Sequence, residues 1–544
     1  MTTSRVEQSI PPELDIRFGT AKQSLQALVV ASLETRQAAN QIPNAKLVLK
    51  QLVGDGGRNQ ALAAGAKRSQ PGTPVTITLK PGGVLFSGIV AEQTYRQTTA
   101  GGVLTLRLCH PLQGALSSHG SKVFTQQNDE AVLRQLLLPY DVKLSKASGL
   151  MSLRHSQLVQ YECSDWQFIK ARLYANGVWL WPDSDAGVSV APPKLTMAKH
   201  TIIAPENTAL TGPAPHSTLV EAADWVFSNR ELTDTVGVSA WNASVQKVET
   251  RQASIPLLGS GAFDPKALNG LGPRSQTFNT SQDLQEGECQ AWADSRLLTM
   301  QAGSVRGRFT VIGSPAYQLG DTLELKGFGE AFDGKGVISG IEHQLTPGHW
   351  RTLVTIGQDM LAEADVPLVP AAPGLQIGVV ATYQKDPKRL DRIRVKVPAL
   401  GGELWARFAA PYASKDSGVC FYPESDDEVV LGFFGADPCF PVILGAMHSP
   451  ERPSPIDPIN QRQQKGLILK HNGKRQQLLF DDQETSVLLE SNKDSLTLHS
   501  GIKVDTSQAM TVTGDNITLK ADNQLEVKGL KKVNIKGQKV DVGM

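Results

Sequence analysis

The sequence predicts a mainly β protein with helical inserts, in which β-rich domains are followed by a small closed barrel of the OB type and a C-terminal intertwined trimeric β-helix. Three observations predict it. Glycine (49) and proline (32) are frequent enough to punctuate many short strands. Five strand-like runs fall in fewer than eighty residues after a proline cluster, and the tail repeats a pair of alternating aliphatics at near-octad spacing.

The 544 residues are too many for one ordinary core and predict a modular chain. Lys+Arg number 54 and Asp+Glu 53, a formal net charge of +1, so no global field draws the chain to nucleic acid or to an anionic membrane. The start, MTTSRVEQSIPPELDI, lacks the basic end and apolar stretch of a secretory signal, and the best apolar run, Val429 to Phe434, is strand-sized. No general secretory signal is expected, so work outside the cell would need another route. Five cysteines, Cys109, Cys163, Cys289, Cys420 and Cys439, include no C-x-x-C pair and are expected as small buried hydrophobes.

Residues 1–365 mix strands with a few helices. Pro74 to Val90 alternates about a Pro-Gly-Gly turn and reads as a hairpin. In SDWQFIKARLYANG, Ser164 and Gln167 form a Ser-x-x-Gln capping box, Trp166, Ile169 and Leu173 make a stripe, and Gly177 stops the helix. Asp129 to Leu138 and Glu286 to Met300 are further predicted helices. Pro367, Pro370 and Pro373 then disfavour helix and ladder alike and mark a connector. Residues 374–449 carry strands at Leu375–Thr382, Arg392–Val397, Trp405–Ala409, Val429–Phe434 and Val442–Leu444, the count of an OB barrel. Pro450, Pro453, Pro455 and Pro458 make residues 450–464 a second linker.

Residues 465–544 hold the strongest signal. The doublets Leu496/Leu498, Ile502/Val504, Met510/Val512, Ile517/Leu519, Leu525/Val527, Val533/Ile535 and Val540/Val542 step by 6, 8, 7, 8, 8 and 7 residues. Strand period 2 puts both members of a doublet on one face. Leu467/Leu469, Leu478/Phe480 and Val487/Leu489 open the array less regularly. About eight residues make only one side of a solenoid coil, so a single chain would leave open edges and half-covered faces. Three identical chains, each forming one wall of a triangular prism, would bury every doublet on the axis, which predicts a homotrimer. The competing reading is an antiparallel meander. It requires Asn-Gly or Asp-Gly turns, which Leu496 to Met544 lacks, although Asn472-Gly473 upstream suits a hairpin.

Several segments carry a family likeness. YECSDWQFIKARLYANGVWLW (161–181), GDTLELKGFGEAFDGKGVISGIEHQL, GLQIGVVATYQKDPKRLDRIRVKVP with the following WARFAAPYASKDSGVCFYPESDDEVVLGFFGADPCFPVILGAMHSP, and the tail repeat together resemble the VgrG family of spike proteins, which are similar to a fusion of the phage T4 hub and needle. The resemblance implies hub β-barrel domains over residues 1–365, an OB barrel over 374–449 and a needle over 465–544. It implies a homotrimeric structural spike that joins an inner-tube protein ring to the piercing tip, with baseplate proteins, a PAAR-type tip protein near Val540 to Met544 and cargo effectors as partners. The fifteen residues between barrel and needle leave no room for the lysozyme domain of the T4 needle protein, and no effector domain is expected after the needle. The chain is compact for a type VI spike. The expected setting is therefore an extracellular contractile injection system similar to antifeeding prophages and Photorhabdus virulence cassettes, with the type VI VgrG spike as alternative.

No catalytic, cofactor-binding or metal residue is expected. Gly329 to Gly336 fits G-x-x-x-x-G-K, but Gly336 stands where a P-loop needs Ser or Thr, and strands flank it. Glu424, Asp426, Asp427 and Glu428 precede an apolar strand and read as a solvated loop. The ten histidines are dispersed, and Ser244-Val-Gln-Lys247 lacks its accompanying motifs. A cell-wall hydrolase scaffold would need a convergent carboxylate pair. A carbohydrate-binding adhesin would need exposed aromatics, yet Asp481 to Met544 contains no Trp, Tyr or Phe.

Overall fold

A computed structural model describes residues 13–20, 23–24, 28–51, 60–80, 82–98, 101–205, 217–230, 232–268, 274–358 and 367–542. The leader reading on residues 1–12 and the boundary expected at 365 lie outside the described residues. The chain forms two compact units, 1–447 and 448–544.

In the first unit, a large sheet begins with Glu13–Phe18, Pro74–Lys80, Val84–Thr98, Gly101–Cys109, Asn44–Gln51 and Leu28–Ala38, and reaches the strand Gly334–Thr346. The hairpin expected at Pro74 to Val90 is there, with Pro74 opposite Ile89. Its alternation places Val75, Ile77 and Leu79 in one apolar cluster with Leu104 and Leu106 of Gly101–Cys109. The strand Gly334–Thr346 is 13 residues long and serves twice. Its second half pairs with Leu28–Ala38, and its first half with Thr322–Lys326. Through His200–Ile203, Ser217–Phe227, Val305–Ile312 and His349–Ile356 the pairing returns to the same strand, closing a barrel around Phe309, Leu323 and Val354.

A helical insert spans roughly residues 110–191. Helix Asp165–Ala175 starts at Ser164, whose Oγ accepts from Gln167 N at 3.1 Å while Gln167 Oε1 accepts from Ser164 N at 3.0 Å, the expected capping box. Helix Asp129–Leu137 is capped by Asn128, and Glu286–Ser304 packs on a three-stranded sheet of Lys247–Gln252, Thr235–Asn242 and Ser275–Thr280. No helix among the described residues is long and apolar enough to cross a membrane.

Strands Gln376–Val380, Ile393–Val397, Gly402–Phe408, Glu428–Phe433 and Pro441–Ala446 close the five-stranded barrel where the sequence placed it. Its core is not separate. One apolar cluster runs from Leu112, Phe168 and Leu173 of the insert to Val395, Leu404 and Leu431 of the barrel. The proline connector therefore divides the two in sequence and leaves them joined in space.

Candidate functional site

The residues expected to act are the tail aliphatics, and the second unit places them in two ways. Gln464–His471, Lys474–Asp481, Ser486–Ser491, Asp494–Leu498 and Ile502–Asp505 form an antiparallel meander within one chain. Within that meander Leu496 pairs with Val504 and Leu498 with Ile502, so these four residues expected in the needle core lie on one sheet of a single chain. The reason is turn chemistry. Asn472 (φ 48) and Gly473 (φ 76) make the tight hairpin that their sequence suggested, and Thr485, Asn492 and Ser500 also take left-handed conformations, so turns form without Asn-Gly or Asp-Gly.

The pairing satisfies the ladders and leaves a face bare. Register places Leu467, Leu478, Leu489, Leu496 and Val504 side by side, with Leu469, Phe480, Val487, Leu498 and Ile502 on the same face. Most of them are exposed, Ile502 by 75%. A sheet with one apolar face needs a second layer. From residue 506 to 542 no strand pairs within the chain, and Met510, Val512, Ile517, Leu519, Leu525, Val527, Val533, Ile535, Val540 and Val542 are all exposed. Residues 543–544, at the expected tip, lie outside the described residues.

The first unit contains a buried ionic network that sequence reasoning missed, because its members are scattered over three hundred residues. Asp129 at the start of its helix accepts from Arg172 Nε at 2.6 Å and Nη2 at 3.1 Å, and lies 3.1 Å from His155 Nε2. Burial pushes the Asp129 carboxyl up, but the Arg172 charge and the His155 contact overcome this and hold it well below the usual carboxylate range. Arg172 Nη1 donates to Leu368 O at 2.9 Å, tying the insert to the chain entering the barrel. From the barrel, Asp437 accepts from Gln282 Nε2 and Cys439 N, both at 2.8 Å. Full burial raises its carboxyl to about 6. Gln157 of the insert accepts from Trp405 N at 2.8 Å and donates to Cys439 O at 2.8 Å, extending the barrel's hydrogen bonding into the insert. These groups fix two domains against each other.

A cleft of about 190 Å³ opens beside the network, lined by Trp241, Trp405, Phe440, Arg154, Arg407 and Ser281 among others. The cysteines are free, and four are buried. Cys420 is exposed, correcting the expectation of burial for all five, because it lies in an arm between barrel strands. Cys439 is more than a hydrophobe: its Sγ accepts from Val159 N at 3.3 Å.

The other motifs resolve into turns. Gly329 to Gly336 runs from the turn between two antiparallel strands into the second of them, and Asp333 accepts from Phe328 N at 2.8 Å, putting a carboxylate inside the turn. Ser244 and Lys247 flank a hairpin turn at Gln246 (φ 52). Asp427 accepts from Glu424 N at 2.8 Å in an exposed turn. No group of His, Cys, Asp and Glu suited to a metal occurs among the described residues.

No curated protein sequence matches the chain. By structure it is similar to a chain of the half-lidded Francisella PdpA–VgrG complex, at 8% identity and TM-score 0.53 over 91% of this chain and 88% of that one. A chain of the lidded complex gives 10% identity and TM-score 0.52 over 90% and 79%. A component of the E. coli type VI secretion system, described as structurally similar to the T4 tail proteins gp27 and gp5, aligns at 12% identity and TM-score 0.48 over 80% of this chain and 100% of that one. Residues 376–448 match the family model of the type VI secretion system/phage-baseplate injector OB domain, and residues 16–347, more than half of the chain, match that of the Alg8 N-terminal domain. The chain therefore belongs to the Alg8 N-terminal domain family, and its residues 376–448 are similar to the injector OB domain of type VI secretion systems and phage baseplates.

Proposed function

We propose that the protein is the central spike of a contractile injection system, a homotrimer that joins the inner tube to the piercing tip and punctures a target envelope. The observation that carries this reading is the bare aliphatic face of residues 464–542 in a chain whose preceding barrel is an injector OB domain. Covering each half-exposed Val, Leu or Ile is worth roughly 1 kcal/mol. Several dozen such side chains in three copies outweigh an association cost of about 4–15 kcal/mol. Two sister chains are the partners that three-fold closure supplies.

In this reading residues 1–365 form the hub facing the inner-tube ring and baseplate proteins. The OB barrel leads into the needle, the tip near Val540 to Val542 receives a PAAR-type protein, and effectors travel as cargo. The role is mechanical, without catalysis. Chains that bury one another's aliphatics separate only by exposing the whole face at once, so the needle unfolds slowly.

Size-exclusion chromatography with light scattering tests the assembly. The full chain runs as a trimer, whereas Val512→Asp or Ile517→Lys, each placing three unpartnered like charges on one axis, runs as a monomer. A monomeric parent chain, or an unaltered trimer from either variant, refutes the buried axis. Negative-stain microscopy of the producing bacterium tests the setting. Free sheathed particles support the extracellular system, released after assembly in the cytoplasm; membrane-anchored assemblies support type VI secretion.

A further inference from the structure

The cleft between insert, three-stranded sheet and barrel has a chemical bias that the spike reading does not use. Trp241 and Ala243, at the end of the central strand Thr235–Asn242, line it, and Ser281, directly after the parallel strand Ser275–Thr280, lines it too. Both strands thus run towards the cleft. Thr235 opposes Ser275 and Ala240 opposes Thr280, while the outer side of Ser275–Thr280 pairs with no strand among the described residues. An open edge of this kind presents a row of backbone donors and acceptors to an extended chain.

The charges around the cleft are unequally engaged. Its acids are occupied: Asp283 accepts from Ala243 N at 3.0 Å and faces Lys388 at 3.6 Å, and Glu288 accepts from Gln285 N at 2.9 Å and faces His155 at 3.6 Å. Arg392 is held by Asp386 at 2.7 Å. Arg154 and Arg407 are exposed and have no ion-pair partner among the described residues. What remains free is positive, and it borders Trp241, Trp405 and Phe440.

We propose that this cleft and the edge Ser275–Thr280 together dock an extended acidic peptide of a partner protein, which adds as a strand along the edge and inserts an aromatic or large aliphatic side chain between Trp241 and Trp405. Backbone pairing supplies affinity irrespective of sequence. The cavity selects the anchor side chain, and Arg154 and Arg407 select the acidic residues flanking it. The site lies wholly within residues 1–447, so it does not depend on the trimer.

The test uses the full-length protein and a fluorescein-labelled peptide, Asp-Glu-Thr-Val-Phe-Glu-Thr-Val, with a control in which every acid is Lys. Fluorescence anisotropy at low salt is expected to show the acidic peptide binding at least about tenfold more tightly than the control. Changing both arginines, Arg154→Gln with Arg407→Gln, is expected to weaken it by about tenfold. Hydrogen exchange is expected to slow at Ser275–Thr280 when the acidic peptide is added. Equal binding of the two peptides, binding unaltered in the double variant, or exchange unchanged along that edge overturns the proposal. Light scattering on the same sample reports assembly separately, so failure of the trimer and failure of this site are distinguishable.

Discussion

Asp437 shows how burial alone gives a single side chain a pH dependence. Its carboxyl titrates at about 6 in the fold, above an unfolded value of 3.8, so the folded state holds the proton more tightly. The neutral form is favoured in place, and the cost of the charge is absent below pH 4 and fully present above about pH 6. Asp437→Asn is therefore expected to be more stable than the parent by roughly 2–3 kcal/mol at pH 7.5, with the gap closing by pH 4. Thermal unfolding of both proteins across that range checks it. Comparison between the two is essential, since burial lowers His110 and His343 to about 4 and their stabilisation is lost as pH falls below 6.5. None of this was legible in the sequence. Asp437 sits in an ordinary Gly-Ala-Asp-Pro loop, and its partner Gln282 comes from 155 residues away. Neither could periodicity reveal the Asp129–Arg172 pair, because an ion pair across a tertiary contact leaves no mark on local spacing.

Local elements were far more readable. The helix beginning at Ser164 follows from one Ser-x-x-Gln box and an apolar stripe, both satisfied by residues within a few positions. Ser164→Ala is expected to cost about 1 kcal/mol, measured as a lower urea midpoint with unchanged slope. The five barrel strands were legible for the same reason: alternation and Gly/Pro turns act locally. The tail is where local rules gave two answers. A doublet every seven or eight residues fits a solenoid wall and a short hairpin equally, and the choice falls to turn residues. Asn472-Gly473 declared itself, but the left-handed turns at Thr485, Asn492 and Ser500 did not, since each relies on one permissive residue in a polar setting.

At the scale of the molecule, the division that matters lies at Met447, where compactness breaks, and not at the proline connector, where only the sequence does. If the tail drives assembly, a chain ending at Met447 is expected to fold and to remain monomeric by light scattering while the full chain is trimeric. A trimeric truncated chain would move the main contact into the first unit. The strand Gly334–Thr346, common to the closed barrel and the open sheet, bears on how this unit carries load. Sliding one sheet against the other requires that strand to slip past neighbours on both sides along its length. The two sheets therefore cannot come apart at their junction without breaking the pairing of that strand. In the proposed spike, a push across that junction would meet one shared strand where a hinge could otherwise lie.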